Sequence, residues 1–284
     1  MKQPRSSSTT WWPRGIWNRS ATQVSRADDL QRIADALTAA DEVLKRFTPG
    51  EIESELKDGG DPLTAADTAV NEALAAALRG GDEGWLSEET TDAASRLDRR
   101  RVWVVDPIDG TREFIDGIPE WCVSVGLVED GVPVAGGVLS PPNGHLIIGS
   151  NETGVECNGQ PAGTTGTTDI RGALVLASRS EMKRGEWERF FSTPIAVRNM
   201  GSVAYKLSLV GAGLADATWT LVPKNEWDVA GGAALVKAGG GQVFGTDGTD
   251  VVFNRPDPLM DGFIAVAPGL RDQVMDLLDI SPQP

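Results

Sequence analysis

The chain of 284 residues holds two cysteines, Cys122 and Cys157, and a single histidine, His145. Two thiols cannot build a disulfide framework or a thiolate metal cage, so a reducing, cytoplasmic setting is expected. The lone histidine sits beside a turn with nothing around it that suggests a nucleophile, which argues against a Ser-His-Asp triad and fits an edge position in a sheet. There is no P-loop and no G-x-G-x-x-G opening a helix, and this disfavours the nucleotide-cradling folds. No apolar run approaches the length of a membrane span.

Acid is in excess: 41 Asp and Glu against 26 Lys and Arg, for a net charge of −15. The first 26 residues carry five bases and no acid, so the rest is more acidic still. Such a surface argues against nucleic acid polymers and anionic membranes as partners. A small anionic substrate would need the field reversed locally, and a divalent metal is the obvious candidate. A salty cytoplasm would also select an acidic surface, and the charge count does not separate the two.

Residues 1–26, rich in Ser, Thr and Arg and without an apolar core, read as a disordered basic leader outside the fold. The remainder divides near residue 165 into an N-terminal α+β half (27–165) and a C-terminal α/β half (166–284). Leu30, Ile33, Leu37, Ala40, Leu44 and Phe47 recur at helical spacing. Thr64 and Asp67 form a T-x-x-D capping box opening a second amphipathic helix. "GWLSEE" reads as a short strand ending in two glutamates, and Arg101 to Val105 as a compact central strand. From Trp121 to Ser150, strand-like runs punctuated by "EDG" and "SPPNG" predict a β-meander, with Asn158-Gly159 marking a further hairpin. Beyond Arg171 strands and helices alternate, including a helix over "RGEWERFF" and one from Trp227 closed by glycine. Strands followed by crossover helices imply layered sheets and helices.

The chemistry gathers at "VWVVDPIDGTREF", Val102 to Phe114. Asp106 closes a strand, Pro107 cannot donate to a ladder, and Asp109 follows one tight corner later, so both carboxylates can face one point. Glu88 closes an earlier strand and Asp228 begins a helix. Three or four carboxylates brought together would repel and shift one another's pKa unless a hard cation joined them. Oxygen-only ligands suit magnesium or manganese, and the Ile108 carbonyl is a plausible further ligand. Gly110 allows close backbone approach, and Thr111 opens a short helix whose first N–H groups suit a phosphate.

"DPIDGTREF", with "SEE" upstream and "WDVAGGAALVKAGGG" downstream, resembles the magnesium-dependent, lithium-sensitive inositol monophosphatase superfamily over about Asp29 to Pro268. The resemblance implies an α-β-α-β-α sandwich, a homodimer, and two or three Mg²⁺ per site, with Mn²⁺ possible. It implies metal ligation by Glu88, Asp106, Ile108 (through its carbonyl), Asp109 and Asp228, with Glu88 also counted as catalytic. Gly110 and Thr111 match the phosphate-binding backbone, and Asp67 matches the aspartate that activates water with Thr111. Taken singly, Asp67 is an ordinary capping acid and Asp228 an ordinary helix-start acid; their joint occurrence in family order favours the functional reading.

Within that superfamily, "DGTREF", "ASRS" (Ala177–Ser180), "GSVAYK" and "VFNRPDPLMDGFIAVA" resemble the 3'(2'),5'-bisphosphate nucleotidases of sulfate assimilation. A second phosphate needs extra cations, for which Arg112, Arg179 and Lys206 are candidates, with Gly201, Ser202 and Asp228 completing the substrate contacts. "GSVAYK" has one residue more than the branch's G-S-x-x-x-K, and an extra glycine after Lys57 puts a role for that lysine in doubt. Glu226 fits the branch's E-W-D yet could also bind sugar hydroxyls, which keeps inositol 1-phosphate open. The expected partner is a small phosphate ester, with a non-catalytic metal- or phosphate-binding regulator as the reading from another class.

Overall fold

The computed structural model describes residues 25–57, 62–91 and 93–280; the expected leader, up to residue 24, lies outside the described residues. Helix α1 (Arg26–Leu44) is opened by a capping box in which Ser25 and Asp28 satisfy each other's backbone N–H. Arg26 therefore belongs to the fold and not to the leader, and its guanidinium pairs with Asp29 and Glu129. The predicted stripe from Leu30 to Leu44 is buried, and Phe47, beyond the helix end, packs at its margin. A short ribbon, β1 (Ser54–Leu56) and β2 (Pro62–Thr64), leads into α2 (Ala65–Leu78), which carries the predicted Thr64–Asp67 box.

Seven strands follow in spatial order identical to chain order: β3 (Gly84–Ser87), β4 (Arg101–Asp109), β5 (Cys122–Glu129), β6 (Val132–Ser140), β7 (His145–Ser150), β8 (Gly154–Cys157) and β9 (Gln160–Ala162). Only β3 and β4 run parallel. The meander and the Asn158-Gly159 hairpin are as expected, both turn residues having positive φ (52° and 74°). The expected central strand is β4, which is paired on both sides but lies next to the edge strand, and it continues four residues past Val105.

The second half comprises β10 (Leu174–Ser178), α4 (Arg179–Lys183), β11 (Ala196–Met200), α5 (Val203–Gly211), β12 (Ala217–Thr220), β13 (Lys224–Asn225), α6 (Glu226–Ala238), β14 (Gln242–Phe244), β15 (Leu259–Met260), β16 (Phe263–Val266) and α7 (Arg271–Leu277), with α3 (Thr111–Ile115) following β4 in the first half. Its five-stranded sheet has the order β11-β10-β12-β16-β14. The α-helix expected over "RGEWERFF" does not form: α4 lies before it and stops at Lys183, and after Gly185 (φ 81°) there is only a 3-10 turn, Glu188–Phe190. Trp187 and Phe190 are buried there against Trp219.

Three apolar interfaces define the layers. Ile33 and Leu37 of α1 and Leu74 of α2 pack with Trp103, Val125 and Leu127 on one face of the large sheet. Leu207 of α5 and Leu235 of α6 join Val104, Val138 and Ala265 between the two sheets. Val274 and Met275 of α7 cover the outer face of the small sheet with Trp187 and Trp219. The result is the α-β-α-β-α sandwich. None of the described helices is long and apolar enough to cross a membrane.

Helix α6 lies unusually close to the large sheet. Gly126 and Gly136 face each other across β5 and β6, and a Cβ on either would collide with the α6 backbone at Gly231. Overpacking of a closed interface costs about 1–3 kcal/mol. Gly136→Ala should therefore lower Tm by several degrees, whereas Gly166→Ala, with open space around the added methyl, should leave it unchanged. Equal Tm values for the two variants would show that this contact does not hold α6.

Candidate active site

The site begins at an irregularity in β4. Asp106 pairs with Ser124 and Asp109 with Cys122, so two residues, Pro107 and Ile108, stand opposite the single residue Val123. Proline has no N–H for the ladder, and the bulge it helps to create sends the chain towards the corner without ending the strand. Gly110 then adopts φ 100°, where an added Cβ would lie 3.0 Å from the Glu120 carbonyl oxygen, and α3 starts at Thr111.

Glu88 follows β3, the parallel neighbour of β4, and Asp228 is the third residue of α6. One carboxylate oxygen from each of Glu88, Asp106 and Asp228 lies within 4.8 Å of the others. Burial, then the neighbouring acids, drives Asp106 and Asp228 well above the usual carboxylate range. Burial likewise pushes Glu88 up to about 7, against the pull of Lys57. Asp106 Oδ1 is buried without a hydrogen-bond partner. An orphaned carboxylate oxygen in a converging set of oxygen donors fits a hard divalent cation.

Asp109 stands apart from these three. Its Oδ2 accepts hydrogen bonds from Ser202 Oγ (2.9 Å) and from the backbone N–H of Ala204, which ties β4 to the start of α5. The Ile108 carbonyl accepts from Thr111 Oγ1 at 3.0 Å. That hydroxyl also lies 3.1 Å from Asp67 Oδ1, while Asp67 Oδ2 is held by the Thr64 backbone N–H (2.8 Å) and Oγ1 (2.6 Å). Capping and pairing with Thr111 are thus carried by different oxygens of one carboxylate.

A cleft of about 290 Å³ opens over these groups. Besides the acids it is lined by Arg112, Arg179, Lys206 and Lys224. Lys206 is almost wholly buried, its Nζ donating to the Ser202 carbonyl at 2.9 Å, and burial lowers its pKa. Arg179 is more open; it pairs with Glu120 and stands 3.8 Å from Glu113. Glu120 also accepts the Gly201 N–H at 2.9 Å. Ser202 caps α5 with φ 55°, a strained value for a non-glycine residue.

Three features escaped the sequence reading. Lys57, whose role its spacing had put in doubt, reaches Glu88 (2.7 Å) and Glu89 (2.6 Å). Lys224, two residues before the E-W-D stretch, joins the cations of the cleft, and Glu120, which stands in no recognisable motif, orders Arg179 and Gly201. Glu226, which fits the E-W-D of the nucleotidases and could also have met sugar hydroxyls, is turned away from the cleft. It is fully buried, and its two oxygens accept the backbone N–H groups of Asn254 (2.7 Å) and Arg255 (2.8 Å).

The sequence profile of the inositol monophosphatase family matches residues 26–279. The chain belongs to the inositol monophosphatase family. It is 35% identical to inositol monophosphatase 3 of Solanum lycopersicum over 177 residues, 58% of this chain and 66% of that enzyme. CysQ from Bacteroides thetaiotaomicron, described as a bacterial member of the family, superposes with a TM-score of 0.67 at 27% identity, covering 84% of this chain and 97% of that one. The inositol monophosphatase of Anabaena (Nostoc) shares the fold at 24% identity, with a TM-score of 0.75 over 90% of this chain and 98% of that one. As a member of the family, the chain is a metal-dependent phosphatase of small phosphate esters.

Neutralising one acid of the cluster should separate metal binding from folding. Asp106→Asn removes a buried charge that no hydrogen bond to its Oδ1 compensates. Without metal, its Tm should equal or exceed that of the wild type. Added Mg²⁺ should raise the wild-type Tm and leave the variant unmoved. A metal-induced shift of wild-type size in the variant would place the cation elsewhere.

Proposed function

We propose that the protein is a Mg²⁺-dependent phosphomonoesterase that removes the 3'-phosphate of adenosine 3',5'-bisphosphate, giving AMP and phosphate. The observation that carries this reading is the company the acids keep. One cleft holds a cation-binding carboxylate cluster together with Arg112, Arg179, Lys206 and Lys224. A monophosphate is served by the metal side alone, whereas a second phosphate needs cations of its own. The enclosure of Glu226, whose carboxylate is taken up by two backbone N–H groups, is in keeping with this reading.

In this reading Glu88, Asp106, Asp228, Asp109 through its free oxygen and the Ile108 carbonyl hold the metal, two or three ions in all. When bound, divalent cations neutralise phosphate oxygens and make water a better nucleophile. The chain's residues do the positioning. Thr64 fixes Asp67 before substrate arrives, and the Thr111 hydroxyl, held between Asp67 Oδ1 and the Ile108 carbonyl, can accept a water proton and pass its own to Asp67 Oδ1. Backbone N–H groups at Gly110 and Thr111 receive the reacting phosphate. Arg179 and Lys206, with Gly201 and Ser202, orient the phosphate that does not react, and such remote binding energy serves the chemical step. A homodimer, lithium inhibition and a cytoplasmic location accompany the proposal from the family likeness.

Phosphate release should be compared for adenosine 3',5'-bisphosphate and inositol 1-phosphate in Mg²⁺. The bisphosphate should have the higher kcat/KM. Arg179→Gln should raise its KM about ten- to a hundredfold, since a charge-assisted contact is worth roughly 1.5–3 kcal/mol, and should leave inositol 1-phosphate nearly unaffected. A preference for inositol 1-phosphate, with Arg179→Gln acting equally on both, would move the protein to the inositol branch. No release from either substrate would favour the non-catalytic regulator.

A further inference from the structure

The segment "NRPDPLM", Asn254 to Met260, touches none of the proposed reaction steps, yet it encloses the start of α6. Met260 and Leu259 pair with Lys224 and Asn225 in the β13–β15 ribbon. The Pro258 carbonyl accepts the Glu226 N–H at 2.9 Å. The Glu226 carboxylate, 0% exposed, takes the N–H groups of Asn254 and Arg255. From the other side Arg96, 1% exposed, donates to Asn254 Oδ1 (2.7 Å) and to the Arg255 carbonyl (2.8 Å). A buried cation and a buried anion thus grip opposite poles of one dipeptide, and the backbone dipoles between them relay the attraction. Asn254 adopts φ 59°, which presents its N–H, and that of Arg255, to a single carboxylate.

The arrangement has a consequence for the cleft. Successive helical residues are rotated by about 100°, so Glu226 and Asp228, two apart in the first turn of α6, point to roughly opposite sides. Glu226 points into the dipeptide and Asp228 into the acid cluster. Lys224, at the other end of this short stretch, lines the same cleft. Fixing Glu226 therefore sets the rotation of the first turn and, with it, the position of Asp228. We infer that Arg96, Asn254, Arg255 and Glu226 form a clasp whose task is to position Asp228 against Glu88 and Asp106, making Glu226 and Arg96 positioning residues for metal binding. This rests on the reading of Asp228 as a metal ligand.

Calorimetric titration of Mn²⁺ or Mg²⁺ into the purified protein tests the clasp without using turnover. Glu226→Gln leaves one of the two N–H groups facing an amide NH₂, and should weaken metal binding about tenfold or more. Asn254→Gly removes only the side-chain contact to Arg96, keeps the left-handed backbone accessible, and should weaken it less; it serves if Glu226→Gln does not fold. Arg96→Lys, which keeps the charge but cannot bridge two acceptors in the same way, should not restore wild-type affinity. Val274→Ala, on the buried face of α7 in the outer layer, is the control for lost stability and should leave affinity unchanged. Metal binding of wild-type strength in folded Glu226→Gln or Asn254→Gly, alongside its loss in Asp228→Asn, overturns the clasp while leaving the metal site standing. Wild-type affinity in Asp228→Asn removes the metal reading and the clasp with it.

Discussion

Everything at the centre of this protein depends on an electrostatic conflict: three carboxylates, one buried and two half-buried, converge on one point. Two unit charges about 4 Å apart repel by roughly 4 kcal/mol at the effective dielectric of a protein site. The oxygens of Glu88, Asp106 and Asp228 lie within 4.8 Å of one another, and Asp106 is 1% exposed. Left to relax, such acids would separate or take up protons, as their raised pKa values record. The surrounding elements bring them together: Asp106 lies on an interior strand, Glu88 in the turn that follows that strand's parallel neighbour, and Asp228 in the first turn of a helix packed between two sheets. Converging oxygen donors of like charge fit a small, hard cation.

Holding α6 in place takes contacts at several points of its length. In mid-helix the glycines of β5, β6 and α6 let backbone approach backbone, with only small side chains such as Ala230 and Ala234 beside the contact. At its start the ribbon to β15 and the Glu226 carboxylate fix direction and rotation. Asp109 does the equivalent for α5, accepting a hydrogen bond from Ala204 at its first turn. The acids of the site therefore serve two purposes: one oxygen of Asp109 binds the scaffold, one oxygen of Asp67 caps its own helix, and the second oxygen of each remains for chemistry.

What could be read from the sequence was what depends on neighbours in the chain. The Thr64–Asp67 box, the glycine corner after Asp109 and the Asn158-Gly159 turn follow from local rules, and so does the alternation that gives the meander. The bulge at Pro107–Ile108 was read as a strand end because a proline signals a stop unless the partner strand is known to continue. Contacts between distant segments left no such trace. Glu226 meets Asn254 across 28 residues and Arg96 meets it across 158; nothing in either neighbourhood distinguishes a buried anchor from a surface charge. Lys57 illustrates the reverse case, since its spacing argued against a role that its position beside Glu88 and Glu89 restores.

The acidic body and the four cations of the cleft are compatible because their fields act over different distances. At physiological ionic strength exposed charges are screened beyond about 8 Å, so the net charge of −15 is felt weakly by a ligand already in the cleft. Inside it, Lys206 donates to the Ser202 carbonyl of its own helix start and Arg179 is paired with Glu120. Neither cation is flexible enough to seek an anion; each waits at a fixed place. An anionic ligand must then match their spacing relative to the acid cluster, or give up one set of contacts. A cleft that holds both signs in one small volume fits a ligand whose charged groups have a matching separation, in keeping with the proposed bisphosphate.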